Sequence, residues 1–160
     1  MNPKIVPLEQ LSARTAELRA TGKKLVATNG CFDLLHVGHV RYLSAARALG
    51  DFLIVGVNGD DSTRQLKGPG RPINNENDRA EVVAALEPVD LVTVFPEVRA
   101  ARFLELARPS IYVKGGDYKV DTLNESEREV LDQIGTEIRI IPFEKGYSTS
   151  SLLEKLNSPK

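Results

Sequence analysis

The chain holds two histidines, and they stand three residues apart in Asn29-Gly30-Cys31-Phe32-Asp33-Leu34-Leu35-His36-Val37-Gly38-His39. This segment joins a short apolar run to a helical pattern. Across a helix start, that spacing lets both imidazoles face one side. Gly38 between them removes a side chain and lets a phosphate approach the backbone. The helix start adds free N–H groups and the positive end of a dipole. Two donors beside an anion site suit the extra negative charge of a transition state at phosphorus. Two other readings are open: histidines that cap or pack, and a zinc site using His36, His39 and Cys31 or Asp33. The glycine between the two histidines favours phosphate.

Three more clusters carry usable chemistry. In Lys67-Gly68-Pro69-Gly70-Arg71-Pro72 the glycines and prolines specify an irregular loop, from which Lys67 and Arg71 would close over a triphosphate; the alternative is an exposed turn. Downstream, Arg79 falls with Val82, Val83 and Leu86 at i, i+3, i+4, i+7 and so shares an apolar stripe. A cation there needs an anion, either a ligand phosphate or a carboxylate such as Asp33. Lys114-Gly115-Gly116-Asp117-Tyr118 permits close backbone approach, and Asp117 would accept from a ribose hydroxyl or hold Mg²⁺. The competing reading, a tight turn, wins on that segment alone. Gly146-Tyr147-Ser148-Thr149-Ser150-Ser151 opens a helix. Ser151 and Glu154 have capping-box spacing, which leaves Ser148 and Thr149 for terminal phosphates.

The elements that must position these clusters alternate. Helical patterns cover Leu8 to Arg19, Gly38 to Ala48, Asn75 to Leu86, Val98 to Ala107, Glu125 to Ile134 and Ser151 to Leu156. Strand-type runs cover Leu25 to Thr28, Phe52 to Val57, Leu91 to Phe95, Ile111 to Lys114 and Glu137 to Ile141. Such alternation predicts right-handed βαβ units and a five-stranded, doubly wound parallel α/β sheet. Each cluster leaves or lies downstream of the carboxyl end of a strand, the edge where open α/β sheets bind ligands. If strands one and four are neighbours, the histidine cluster and the Lys114 cluster face each other across the crevice. Residues 1–160 are expected to form one domain, with 1–22 as an N-terminal helical extension.

Composition narrows the classes. At 160 residues and 17.6 kDa there is room for one real core. A net charge of -1 gives no general attraction to nucleic acid or to an anionic membrane. No apolar run approaches a membrane span, and the N-terminus has no secretory pattern. The single cysteine, Cys31, excludes an intramolecular disulfide framework and suits the cytoplasm. No G-x-x-x-x-G-K-[ST] occurs, and no G-x-G-x-x-G follows the first strand, which argues against a P-loop and a dehydrogenase-type dinucleotide site.

With these residues in view, His36-Val37-Gly38-His39 after a Gly-x-Phe-Asp turn resembles the H-x-G-H signature of the cytidylyltransferase-like nucleotidyltransferases, over nearly the whole chain. Thr28 to Asp33, Leu66-Lys67-Gly68 with Arg71-Pro72, Val113 to Tyr118 and Ser148-Thr149 are similar to the branch that adenylylates D-glycero-β-D-manno-heptose 1-phosphate. That branch occurs alone or fused behind a sugar kinase. The resemblance implies a Rossmann-like sheet, Mg²⁺, ATP as co-substrate and in-line attack without a covalent enzyme intermediate. It implies catalytic roles for His36, His39 and Lys67. Gly30, Cys31, Phe32, Gly38, Gly116, Asp117, Ser148 and Thr149 would bind nucleotide, and Asp33, Arg71 and Arg79 would bind the second substrate. No metal is expected to be held by the protein's own ligands. Val120 to Thr136 departs from the heptose branch, and Tyr147 stands where a smaller residue is expected. Class I aminoacyl-tRNA synthetases share a related histidine motif, but this length has no room for their further domains and the charge offers no tRNA surface.

The expected reaction is therefore ATP plus a sugar 1-phosphate giving an ADP-sugar and pyrophosphate. Its partners are small molecules and an upstream sugar kinase, with no nucleic acid and no membrane; a homodimer is compatible with the sequence. One alternative is CTP with glycerol 3-phosphate or ethanolamine phosphate. Another is a nucleotide-binding regulatory module without turnover.

Overall fold

A computed structural model describes residues 2–116, 119, 122–142 and 146–159. The order is α1 (Leu8–Ala20), β1 (Leu25–Gly30), α2 (Val37–Arg47), β2 (Phe52–Asn58), α3 (Asp60–Lys67), α4 (Glu76–Ala84), β3 (Leu91–Phe95), α5 (Ala101–Ala107), β4 (Ile111–Gly115), α6 (Glu125–Ile134), β5 (Glu137–Ile141) and α7 (Thr149–Asn157). The sheet runs β3-β2-β1-β4-β5, and every pair is parallel. Strand order reverses between β1 and β4, so the neighbour relation expected from the sequence holds, and the crevice opens above the carboxyl ends of those two strands.

Strands covered on both faces read as continuous apolar runs, and alternation sorts their side chains. Leu25, Ala27, Ile54 and Tyr112 pack beneath α1, α5 and α6 with Leu11, Phe103, Leu104 and Leu131. Val26, Leu53, Val55, Val57 and Val113 pack beneath α2 and α4 with Leu43, Ala80 and Val83. α1 buries Leu8, Leu11 and Leu18 as its spacing predicts, and Gly22 ends it at φ +81°. Among the described residues no helix is long and apolar enough to cross a membrane.

Three differences from expectation concern the site. α3 was not anticipated, because it presents no apolar stripe: its buried residues are Ser62 and Thr63, and Leu66 is exposed. What marks it is charge, Asp60 and Asp61 in the first turn against Arg64 and Lys67 in the last. Lys67 therefore ends a helix rather than opening a loop. On α4 the buried face is Arg79, Ala80, Val83 and Ala84, while Val82 is exposed. α7 starts two residues before the expected Ser151, with Ser148 as its cap.

Candidate active site

A cavity of about 460 Å³ lies over the β1–β4 crevice, within the size range of small-molecule sites. Its walls come from the β1–α2 connection, the end of α3, the end of β4 and the start of α7.

His36 is the extended N-cap of α2, and its Nδ1 accepts the Gly38 N–H at 3.1 Å. His39 Nδ1 accepts the His36 N–H at 3.2 Å. The histidines do cap their helix, as the competing reading held, but the capping uses only one nitrogen of each ring. A neutral imidazole that accepts at Nδ1 carries its proton on Nε2. The helix start thus fixes both rings as Nε2–H donors. The ring centroids are 4.0 Å apart, and both residues line the cavity. Burial, then the neighbouring His36 and Lys67 charges, push His39 down to about 4, and burial lowers His36. Neutral donors result. Lys67 lines the same cavity as the two histidines.

Gly38 is required by crowding. A Cβ there would lie 2.7 Å from His36 Cε1 and 3.0 Å from Tyr147 Cβ. Phe32 holds a left-handed backbone (φ 49°) that bulky residues rarely adopt. Its buried ring lies 5.8 Å from the His39 ring, and a Cβ on Gly30 would meet it at 3.1 Å. Cys31 is buried beside it.

Several expected ligand residues have internal work. The Asp33 carboxylate accepts from Ile73 N (2.9 Å), Asn74 N (3.0 Å) and Arg71 Nε (2.7 Å). Burial pushes its carboxyl up, but the Asn74 and Ile73 N–H groups and Arg71 outweigh this and hold it below the usual range. Asp33 ties the 71–74 segment to the β1 turn and also lines the cavity. Arg71 is its partner and still lines the cavity. Arg79 is 1% exposed and outside the cavity lining. It donates to Asn74 O, Cys31 O, Asn58 O and Thr63 Oγ1 and pairs with Asp60 at 2.8 Å. The anion its burial demanded is Asp60, not Asp33 and not a ligand.

The start of α7 does face the cavity through Ser148 and Thr149. Ser148 Oγ accepts the Ser151 N–H at 2.9 Å, and Thr149 Oγ1 donates to Leu34 O at 3.1 Å. The capping assigned to Ser151 thus belongs to Ser148. Gly116 donates its N–H to Ile141 O and is outside the cavity lining, where Gly115 takes part instead. Asp117 and Tyr118 lie outside the described residues. Among those described, no three His, Cys, Asp or Glu side chains come together to hold a metal. The zinc grouping therefore does not assemble.

Among the lining residues, Arg41 and Tyr42 belong to no cluster read from the sequence, and Lys114 and Tyr147 stand in clusters that were read but had no role of their own. Arg41 and Tyr42 sit one turn after Gly38 and His39, so the i, i+3 spacing was the available signal. The Tyr42 hydroxyl donates to Val113 O at 3.1 Å and therefore accepts from Thr28 Oγ1 at 2.7 Å, joining β1 to β4; burial raises its pKa to about 12. Tyr147 stacks beside His36, with the Arg41 guanidinium 5.6 Å from its ring centroid.

Residues 27–155 match the family model described as cytidylyltransferase-like. The chain is 44% identical over 153 residues to the bifunctional protein HldE of Geobacter sulfurreducens, covering 96% of this chain and 31% of that protein. It is 47% identical over 156 residues to HldE of Helicobacter pylori, covering 97% and 32%. It thus spans about a third of these relatives. The lipopolysaccharide core biosynthesis protein from Thermoplasma volcanium GSS1 superposes with TM-score 0.64 at 30% identity, over 79% of this chain and 100% of that one. Pantoate-beta-alanine ligase from Francisella tularensis shares the fold alone, at TM-score 0.63 and 16% identity, over 96% and 73%.

Proposed function

Because this chain belongs to the cytidylyltransferase-like family, we propose that it is an adenylyltransferase that joins AMP from ATP to a heptose 1-phosphate. The products are ADP-heptose and pyrophosphate. An oxygen of the acceptor phosphate attacks the α-phosphorus of ATP; the bond from that phosphorus to the oxygen bridging to the β-phosphate breaks, and pyrophosphate leaves with the electron pair. The acceptor oxygen is already ionised, so no general base is needed. Positioning and charge stabilisation carry the rate.

The observation that carries this reading is the pair of neutral rings whose Nδ1 atoms are occupied by the helix start, in a cavity also lined by Lys67, Arg71, Arg41 and Lys114. Two fixed donors among cations suit a phosphoryl group gaining charge. In this reading His36 and His39 act at the α-phosphate and Lys67 neutralises the leaving pyrophosphate. The start of α7 takes the terminal phosphates. The nucleoside lies against the Gly30–Phe32 turn and the segment after β4, where Asp117 belongs. The described residues do not make a cage for a resident Mg²⁺, and Asp33, a cavity carboxylate, already accepts from Arg71 and Ile73. Mg²⁺ is accordingly read as part of the ATP substrate. Residues 1–160 act as one cytoplasmic domain, and a sugar kinase, separate or fused, supplies the acceptor.

The test is pyrophosphate release from each triphosphate paired with heptose 1-phosphate, other sugar phosphates and glycerol 3-phosphate, compared as kcat/KM. ATP with a heptose 1-phosphate should be the best pair. A higher value for CTP with glycerol 3-phosphate overturns the substrates but keeps the reaction type. Nucleotide binding without pyrophosphate from any pair favours a regulatory module.

A further inference from the structure

The two histidines belong to a longer series of neighbouring rings. Phe32 lies 5.8 Å from His39, His39 lies 4.0 Å from His36, and His36 lies 6.2 Å from Tyr147, all between centroids. Phe32 is buried and anchors the inner end. His39 has two ring neighbours, one of them in the core. His36 has His39 on one part of its surface and Tyr147, at an interplanar angle of 22°, on another.

Tyr147 does no work in the core. It is 41% exposed and belongs to neither hydrophobic cluster. Its contacts are at the site. A Cβ on Gly38 would come within 2.7 Å of His36 Cε1 and 3.0 Å of Tyr147 Cβ, so the same notch in α2 seats both side chains. The Arg41 guanidinium lies 5.6 Å from the Tyr147 ring centroid, one turn further along α2. Two residues on, Thr149 Oγ1 donates to Leu34 O at 3.1 Å. The start of α7 is thus fastened to the β1–α2 connection at two points, the Tyr147 ring and the Thr149 hydroxyl.

His36 needs such a fastening. The Gly38 N–H sets which of its nitrogens faces the backbone, but one hydrogen bond lets the ring rock about it. A second cavity, of about 140 Å³, borders His36 and Tyr147 together with Val37 and Leu152. The ring therefore has space beside the main cavity, and an offset-stacked neighbour is what opposes its movement. We infer that Tyr147 is a positioning residue for the proposed transfer: its ring holds His36 with Nε2–H toward the α-phosphate and couples that donor to the start of α7, where the terminal phosphates are taken. This rests on the reaction proposed above.

The experiment is steady-state pyrophosphate release from ATP and heptose 1-phosphate by the full chain, Tyr147→Ala, Tyr147→Phe, His36→Ala and the double variant His36→Ala with Tyr147→Ala. Thermal melts check folding. Misplacing a reacting group on the 1 Å scale costs about a hundredfold, so kcat of Tyr147→Ala should fall about ten- to a hundredfold, while the ATP KM stays within about threefold. Tyr147→Phe should restore most of the loss, because both aromatic contacts are made by the ring. In the His36→Ala background, Tyr147→Ala should cost less than about twofold more, as for two residues acting through one group. The NMR position of the His36 Cε1 proton, set partly by the adjacent ring, should move in Tyr147→Ala and stay in Tyr147→Phe. A rise confined to the ATP KM overturns the inference by making Tyr147 a ligand contact. An undiminished loss in the His36→Ala background overturns it by showing that Tyr147 acts elsewhere. Unchanged constants in Tyr147→Ala overturn it by reducing the stack to packing. Each of these outcomes in an active enzyme leaves the proposed reaction standing. No pyrophosphate from the wild-type chain with any sugar 1-phosphate overturns that reaction and this inference with it.

Discussion

A histidine beside a reacting phosphate can serve as a cation or as a neutral donor, and the two behave differently with pH. Here the neutral form is set by the backbone, since each Nδ1 is taken by a helix-start N–H and His39 titrates at about 4. Its Cε1 proton should show an NMR midpoint near that value; a midpoint near 6.5 would return His39 to the cationic role. The sign for stability follows. The unfolded ring takes its proton near 6.5, and the folded ring does not until about 4. The contribution is whole above 6.5 and is lost as pH falls through that window. Urea midpoints across the window should decline less steeply in His39→Gln than in wild type. Turnover is the second readout. Removing one preorganised donor costs roughly 3 kcal/mol, so His39→Ala should lose about two to three decades in kcat. Its melting temperature should move little. A folded variant with near-normal kcat would end the catalytic assignment. The sequence made this pair legible through spacing and the intervening glycine. It could not show which internal partners Asp33 and Arg79 take, because a carboxylate's partners at 71–74 and a guanidinium's at Cys31, Asn58 and Asp60 come from chain crossings that no local pattern encodes.

Among elements, the β1–α2 turn and the starts of α3 and α4 are fastened to one another by Arg79. It reaches the carbonyls of Cys31, Asn58 and Asn74 and the Asp60 carboxylate. Arg79→Met would strand those acceptors and should cost about 3–5 kcal/mol, the usual penalty for breaking a buried charged pair. Urea denaturation reads this directly, and the ATP KM of the folded fraction should stay close to wild type. A large KM rise without loss of stability would restore a ligand role. Gly38 tests the same connection from the other side. The added methyl of Gly38→Ala meets the His36 ring at 2.7 Å, so the ring must move. A displacement on the 1 Å scale is worth about a hundredfold in rate, and kcat should fall by up to that factor with KM less affected. Periodicity recovered the helices that carry apolar stripes. α3 escaped it because its buried side chains are Ser62 and Thr63, and α7 was placed late because its spacing offered two serines as caps.

At the scale of the molecule, the cavity is assembled from segments far apart in sequence that the β3-β2-β1-β4-β5 order brings to one edge. Alternation of elements foretold the parallel sheet; strand order, which decides that β1 and β4 adjoin, is a property of the crossovers and could only be assumed. The assembly has a thermodynamic consequence. A triphosphate that engages the end of α3 and the start of α7 at once binds only the folded arrangement, so at a hundred times its dissociation constant it should add about 2.7 kcal/mol of stability. The gain should be local as well as global. The segment after Lys67 has Gly68 at φ +98° and Gly70 at φ +81°, and the Arg71 N–H makes a long 3.3 Å bond to Gly68 O, while Arg71 is anchored to Asp33 beyond it. Backbone hydrogen exchange at 68–71 and through the first turn of α7 should therefore slow on adding MgATP, more than in α1 on the far side of the sheet. If the melting temperature rises while exchange at 68–71 is unchanged, Lys67 acts from a fixed helix end, and the glycine segment is an exposed turn that takes no part in closing over the phosphates.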